Sequence, residues 1–267
     1  MRRAVFLAIV LLFAFTAPVA AAAVNDTQAT ALAISTGTTV TEDTTLADET
    51  DPVETALNAF CGAPVVEHGV WFEVTVASDS FVSFDTTDSD YAAGLMLFPA
   101  TVSAETLITC GPGRIVEQLL SGETYFLLVF GDGESAATSG EMILRVEEAV
   151  PPPDIELTVN KTGTVDRAGV AHISGTVTCT SVDGSGTLFE IFGDVSQRVG
   201  RVIIRGFFGT FIDAPCDGTT TDWQADVFGD NGLFAGGKAA TVAIAFGCTD
   251  VCSDQFVEAT IQLRKGR

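Results

Sequence analysis

Residues 67–98 read EHGVWFEVTVASDSFVSFDTTDSDYAAGLMLF, and this stretch constrains the chain more than any other. Val70, Phe72, Val74 and Val76 alternate with Trp71, Glu73 and Thr75. A period of two puts every second side chain on one face, as in a strand laid on a core. Ser78-Asp79-Ser80 forms a polar turn, Phe81 to Phe84 resumes the apolar pattern, and Gly94 to Phe98 is almost wholly apolar. The reading is three antiparallel strands in succession. No helical period persists elsewhere, and 26 glycines punctuate the 267 residues. The expected fold class is therefore all-β, arranged as two β-sandwich domains.

The chain opens with a basic Met1-Arg2-Arg3, an apolar run from Ala4 to Phe15, and small residues from Pro18 to Ala23. That order describes a secretory signal peptide over residues 1–23. The apolar run is shorter than the roughly 20 residues that span a bilayer, and Pro18 interrupts it. A secreted, extracellular product with no membrane span after cleavage is expected.

The formal net charge is −22. From Val24 to Pro153 there are 21 acidic residues against Arg114 and Arg145, and from Asp154 onward 14 against 9 basic ones. Such a surface repels nucleic acid and anionic lipid, so neither is an expected partner. Six cysteines in an exported chain imply disulfides. Two fall in the first half and four in the second, a division that leaves three pairings. We pair Cys61 with Cys110, Cys179 with Cys216, and Cys248 with Cys252, the last across a tight hairpin at ordinary Cα separation. With only His68 and His172 as histidines, a zinc site at Cys248 and Cys252 lacks further soft ligands.

Residues 24–148 form the first domain. Further strands are expected at Arg114 to Leu119, Thr124 to Phe130 and Gly140 to Val146, with turns at Ser121-Gly122-Glu123 and Gly131-Asp132-Gly133. Asn25-Asp26, Cys61-Gly62, Val70-Trp71-Phe72, Ser89-Asp90-Tyr91 and the segment from Gly122 to Val129 occur in the order of the bacterial pre-peptidase C-terminal domain, which this half resembles. The resemblance implies a jelly-roll-like sandwich, non-catalytic, appended to exported proteins. Ala92-Ala93 and Gly111-Pro112-Gly113 stand where family members often carry carboxylates. Asp85, Asp88 and Asp90 remain clustered, and calcium prefers such oxygens. Turn-forming, solvated aspartates are the preferred reading, and no metal or cofactor is expected.

Residues 149–153 end in Pro151-Pro152-Pro153, which favours an extended spacer holding the halves apart. Residues 154–267 follow, with seven expected strands at Ile155 to Val159, Gly169 to Thr180, Leu188 to Val199, Arg201 to Phe208, Thr221 to Phe228, Ala239 to Phe246 and Gln255 to Leu263. Seven strands with glycine turns suggest an immunoglobulin-like sandwich. Thr162 to Val165, Ser174 to Cys179, Gln197 with Gly200-Arg201, Cys216 to Thr219 with Trp223, Cys248 with Cys252, and Leu263-Arg264 resemble an uncharacterised Ig-like domain of secreted bacterial, often actinobacterial, proteins. A more distant architectural likeness is to the apoproteins of enediyne antibiotics. Fold alone does not carry function across.

No motif assigns an activity. A catalytic triad needs a histidine oriented by a carboxylate beside a nucleophile. His68 is expected in a turn and His172 in a strand, neither near a nucleophile motif. No enzyme is expected. Trp71, Trp223 and Tyr125 fit core or strand packing. In Phe207-Phe208-Gly209-Thr210-Phe211, adjacent strand residues face opposite ways, so one of Phe207 and Phe208 points outward. Arg201, Arg205 and Phe207 share a parity and form the candidate binding edge for an acidic or amphipathic partner. The expected function is a secreted, non-catalytic binding or surface-association protein; the alternative is a small-ligand carrier using a cleft of the second domain.

Overall fold

The computed structural model describes residues 23–47, 52–58, 61, 65–132 and 137–266. The expected signal peptide, apart from Ala23, lies outside them. The described residues are nearly all β.

The first half contains β1 (Leu32–Ile34), β2 (Thr38–Asp43), helix α1 (Pro52–Ala56), β3 (Val66–Val74), β4 (Ser80–Asp85), β5 (Ala93–Pro99), β6 (Thr109–Pro112), β7 (Arg114–Leu119), β8 (Tyr125–Asp132) and β9 (Glu141–Glu148). They form a five-stranded sheet, β1-β3-β8-β5-β6, and a four-stranded sheet, β2-β9-β4-β7. Phe72, Val74, Phe84, Leu95, Leu127, Leu144 and their neighbours pack into a shared core. The opposite face of the five-stranded sheet is also buried. There Trp71, Met96, Phe98, Leu128 and Phe130 meet Leu57, with Val53, Val102 and Leu107 packed around them. This explains the unbroken apolar run in β5: a strand covered on both faces needs apolar residues at both parities.

Glu54 on α1 is 2% exposed and accepts a 2.9 Å hydrogen bond from Trp71 Nε1. Its carboxyl lies against Gly69, where any Cβ would collide with it. Gly69 belongs to a bulge in β3 between Glu67 and Val70. His68 sits in this bulge with φ of 50°, so it is a strand residue and not the turn residue expected. β1, β2, β6 and α1 were not expected from the sequence, and Gly131-Asp132, read as part of a turn, continues β8.

The second half contains β10 (Asp154–Leu157), β11 (Thr162–Val165), β12 (Ala171–Thr180), β13 (Thr187–Val199), β14 (Val202–Pro215), β15 (Asp217–Val227), β16 (Gly237–Cys248) and β17 (Cys252–Lys265). Eight strands therefore replace the seven expected. The additional one is β11, the Thr-Gly-Thr-Val segment that belongs to the family resemblance but is too short and glycine-containing to read as a strand. It pairs antiparallel with β12 and parallel with β17, joining a β10-β12-β15 layer to a β17-β16-β13-β14 layer. A single core lies between the layers. Phe208 and Trp223 stack across it with ring centroids 6.0 Å apart.

All three expected disulfides form. The Cα atoms of Cys61 and Cys110 are 6.1 Å apart, and those of Cys179 and Cys216 are 4.3 Å apart. Cys248 and Cys252 face each other across the β16–β17 hairpin with Cα atoms 3.9 Å apart, closer than the ordinary range expected. The tip of that hairpin holds the proline segment. Thr249 Oγ1 donates to the Pro151 carbonyl at 2.7 Å, and Ser253 Oγ to the Pro153 carbonyl at 2.6 Å. Asp250 accepts from the Val150 N–H at 2.9 Å and from Arg114 of β7 at 2.8 Å. The Val150 bond, aided by Arg114, holds the Asp250 carboxyl below its usual range. The prolines, expected as an extended spacer, are thus a strap hydrogen-bonded at both ends.

Candidate functional site

The four strands β17, β16, β13 and β14 run antiparallel, and alternation divides their residues between the core and the outside. Ile191, Val195, Ile204, Phe208, Ala243 and Ala245 face inward and are buried. The outward parity carries a second set of apolar residues. The register aligns them in three rows. Asp254, Phe246, Glu190 and Phe211 form the first; Phe256, Ile244, Phe192 and Gly209 the second; Glu258, Val242, Asp194 and Phe207 the third. Phe211 is 87% exposed, Phe207 58%, Phe256 50% and Phe246 39%. A phenylalanine carries roughly 200 Å², so these four rings leave on the order of 500 Å² in water. Patches of that size on a monomer are commonly functional.

Phe207 is the outward member of its pair and Phe208 the buried one, as the alternation demands. Arg205 lies on the same outer face, one row beyond Phe207, opposite Ser196. Arg201 occupies the β13–β14 turn and so does not lie on the strand. The edge expected to bind is not open at Arg205: Asn231 Oδ1 accepts from the Arg205 N–H at 3.0 Å, and the Asp230 N–H donates to the Arg205 carbonyl at 2.8 Å. The neighbouring face, by contrast, carries exposed rings. Its charge also differs from the expectation. Glu190, Asp194, Asp254 and Glu258 are interleaved with the rings and Asp213 borders them, while Arg198, Arg205 and Lys238 lie beyond the third row.

Gly209 leaves a notch in the middle row. A Cβ there would stand 3.3 Å from Glu190 Oε1 and 3.8 Å from the Phe207 ring, with ordinary backbone angles and no collision. Gly209 thus leaves only a shallow gap beside the Phe207 ring, closed on one side by the Glu190 carboxylate at tight contact distance. Reading one strand at a time finds Phe207 and the cluster reaching Phe211, and misses Phe192, Ile244, Phe246 and Phe256. The available signal was an apolar residue at the outward parity of every strand.

The other candidate residues are dispersed. Asp85 accepts from the N–H and hydroxyl of Thr87, at 2.8 and 2.6 Å. Burial alone would raise its pKa, but the Thr87 bonds and the charges of Arg114 and Arg145 leave it below the usual range. Asp88 pairs with Arg145. Asp90 packs against Gly140. Among the described residues no group of three or more acidic, histidine or cysteine side chains is placed to hold a metal.

His172 is held by two carboxylates, its Nδ1 2.6 Å from Asp226 and its Nε2 3.9 Å from Asp166. It lines a cleft of about 720 Å³ with Thr162, Thr164, Ser174, Gln224 and Arg264. The nearest serine along the strand, Ser174, accepts from Asn160 Nδ2 at 2.9 Å. The histidine is oriented as a base would be, but Ser174 is engaged elsewhere.

No family model matches the chain. No curated protein matches it either. Among solved structures it is similar to a GH2 beta-galacturonidase from Eisenbergiella tayi, at 9% identity and a TM-score of 0.24, over 81% of this chain and 39% of that one. It is also similar to the Parabacteroides merdae beta-glucuronidase, at 9% identity and 0.28, over 79% and 29%. The Bacteroides uniformis beta-glucuronidase follows at 8% and 0.23, over 72% and 26%. The chain spans well under half the length of each of these enzymes, and likeness at this level transfers no chemistry. Among the described residues no helix is long and apolar enough to cross a membrane.

Proposed function

We propose that the protein is a secreted, non-catalytic binding protein, and that the outer face of β17-β16-β13-β14 is its docking surface. The observation that supports this reading is the continuity of exposed phenylalanines across the four strands in register. Aromatics with arginine nearby are the composition enriched at interface hot spots. The sequence-derived residues Arg205 and Phe207 belong to this face, and Arg201 lies at its turn.

The small-ligand carrier is the weaker reading. The His172 cleft has sufficient volume, but its lining is hydroxyl, amide and charged groups, whereas ligand pockets are mostly apolar. The test is recovery of a partner from the producing cell's envelope and medium, using the intact chain beside a variant carrying Phe207→Ser and Phe211→Ser. Loss of a stable protein partner at an unchanged melting temperature supports the face. Equal recovery by both proteins rejects it, and an apolar small molecule co-purifying with both favours the carrier.

A further inference from the structure

We infer that the occupant of this face is a cationic amphipathic peptide segment of a partner protein, with one lysine or arginine side chain seated in the Gly209 notch. The inference rests on the face being a docking surface and adds the chemistry of what docks.

The argument is complementarity of charge and shape. Phe207, Phe211, Phe246 and Phe256 are surrounded by Glu190, Asp194, Asp213, Asp254 and Glu258. Carboxylates at successive positions around an apolar patch repel one another while the patch is bare. They are relieved when opposite charge is brought against them. An acidic or neutral apolar partner would bury these carboxylates unpaired, at a large desolvation cost. A second copy of this chain would set the same carboxylates against themselves near a two-fold axis, and the chain's net charge of −22 opposes that approach. A segment alternating apolar and basic residues satisfies both components at once.

The notch defines where the cation goes. Phe207 and Phe211 are four residues apart on one strand, about 13 Å along it, with Gly209 midway. The absent side chain leaves the strand bare there, with Glu190 Oε1 3.3 Å and the Phe207 ring 3.8 Å from where a Cβ would be, so a cation laid over Gly209 meets a carboxylate and an aromatic ring together. A ring face and a carboxylate together favour an ammonium or guanidinium group. Arg205, Arg198 and Lys238 lie on the other side of Phe207, so the positive end of the face borders the acidic patch without filling it. That polarity fixes a direction: the basic part of the partner lies towards Phe211 and Phe246, and away from Arg205.

The test uses the full secreted chain and two synthetic ten-residue peptides, one alternating lysine with leucine and the other glutamate with leucine, measured by fluorescence anisotropy. The lysine peptide should bind at least tenfold more tightly than the glutamate peptide, and raising salt from about 0.05 to 0.5 M should weaken it severalfold. Gly209→Lys, which places a resident cation in the notch, should weaken it at least tenfold with the melting temperature unchanged. Glu190→Gln should weaken it severalfold. Equal binding of both peptides, or of neither, overturns the inference. So does a dimer in sedimentation that dissociates on Phe211→Ser, since the occupant is then a second copy. If Phe207→Ser with Phe211→Ser loses the natural partner but reversing peptide charge has no effect, the docking surface stands and this inference alone falls.

Discussion

The two halves treat an outward aromatic sheet face in opposite ways. In the first half, Trp71, Met96, Phe98, Leu128 and Phe130 are covered by α1 and the 100–108 segment, and Glu54 closes the cover with a bond to Trp71. In the second half, Phe192, Phe207, Phe211, Phe246 and Phe256 lie on a sheet of similar width with nothing over them among the described residues. Both sheets have an apolar second face. Among the described residues only one half supplies its own lid. The difference teaches that apolar parity on an outer face is not a mark of the core by itself; what decides is whether another segment of the chain reaches it.

The comparison breaks most readily at Trp71. Trp71→Ala should cost about 3–5 kcal/mol in chemical denaturation, because it removes a fully buried ring and leaves the buried Glu54 without that donor. A cost under about 1 kcal/mol would mean that the lid is no tighter than the bare face. Next in size is the clamp. Replacing both Cys248 and Cys252 by serine should cost about 2 kcal/mol from the small closed loop, and small-angle scattering should show a wider range of separations between the halves. An unchanged scattering profile would show that the strap is held without the hairpin.

Asp250 gives a smaller, pH-dependent effect. Its carboxyl is held below the usual value by the Val150 N–H and then by Arg114, so the clamp is present above the unfolded pKa of about 3.9 and fades as pH falls through the folded value. The separation of the halves should therefore be constant from pH 7 to about 4 and increase only below that. Loosening between pH 7 and 5 would contradict this assignment. Smallest of all, Phe211→Ser should change stability by no more than about 0.5 kcal/mol, because the ring is 87% exposed. A large loss would show that Phe211 is packed and remove it from the docking face.

Much of this architecture was legible in the sequence because local periodicity carries it. The alternation around Phe72, the cysteine pairings and the outward placement of Phe207 all follow from parity or from elimination. Other parts were hidden for identifiable reasons. α1 is five residues within an acidic stretch, too short for a helical period to register. β11 has four residues including a glycine. His68 was assigned to a turn because a bulge interrupts the alternation of β3 without ending the strand. The phenylalanine face was only partly visible, since its residues come from four strands and meet through register, which no single segment encodes. The carboxylates that border its rings were hidden for the same reason. Arg201 and Arg205 are neighbours of Phe207 in sequence, whereas Asp194 becomes its neighbour only across the sheet, and Glu258 joins the same row from two strands further on.

The hairpin of β16 and β17 serves both ends of the molecule. Its tip grips the strap and Arg114, and two residues away from each cysteine, Phe246 and Asp254 stand side by side on the open face. A pull between a seated partner and the first half would run along this pair of strands. It would load their hydrogen bonds in parallel, over a ladder that extends from Gly237 and Leu263 to the disulfide. Bonds strained together in shear share the force, while contacts at an open aromatic surface can peel one after another. Under tension the partner should leave before the hairpin yields, so the β16–β17 pair acts as the molecule's tie rod and the exposed rings as its release point.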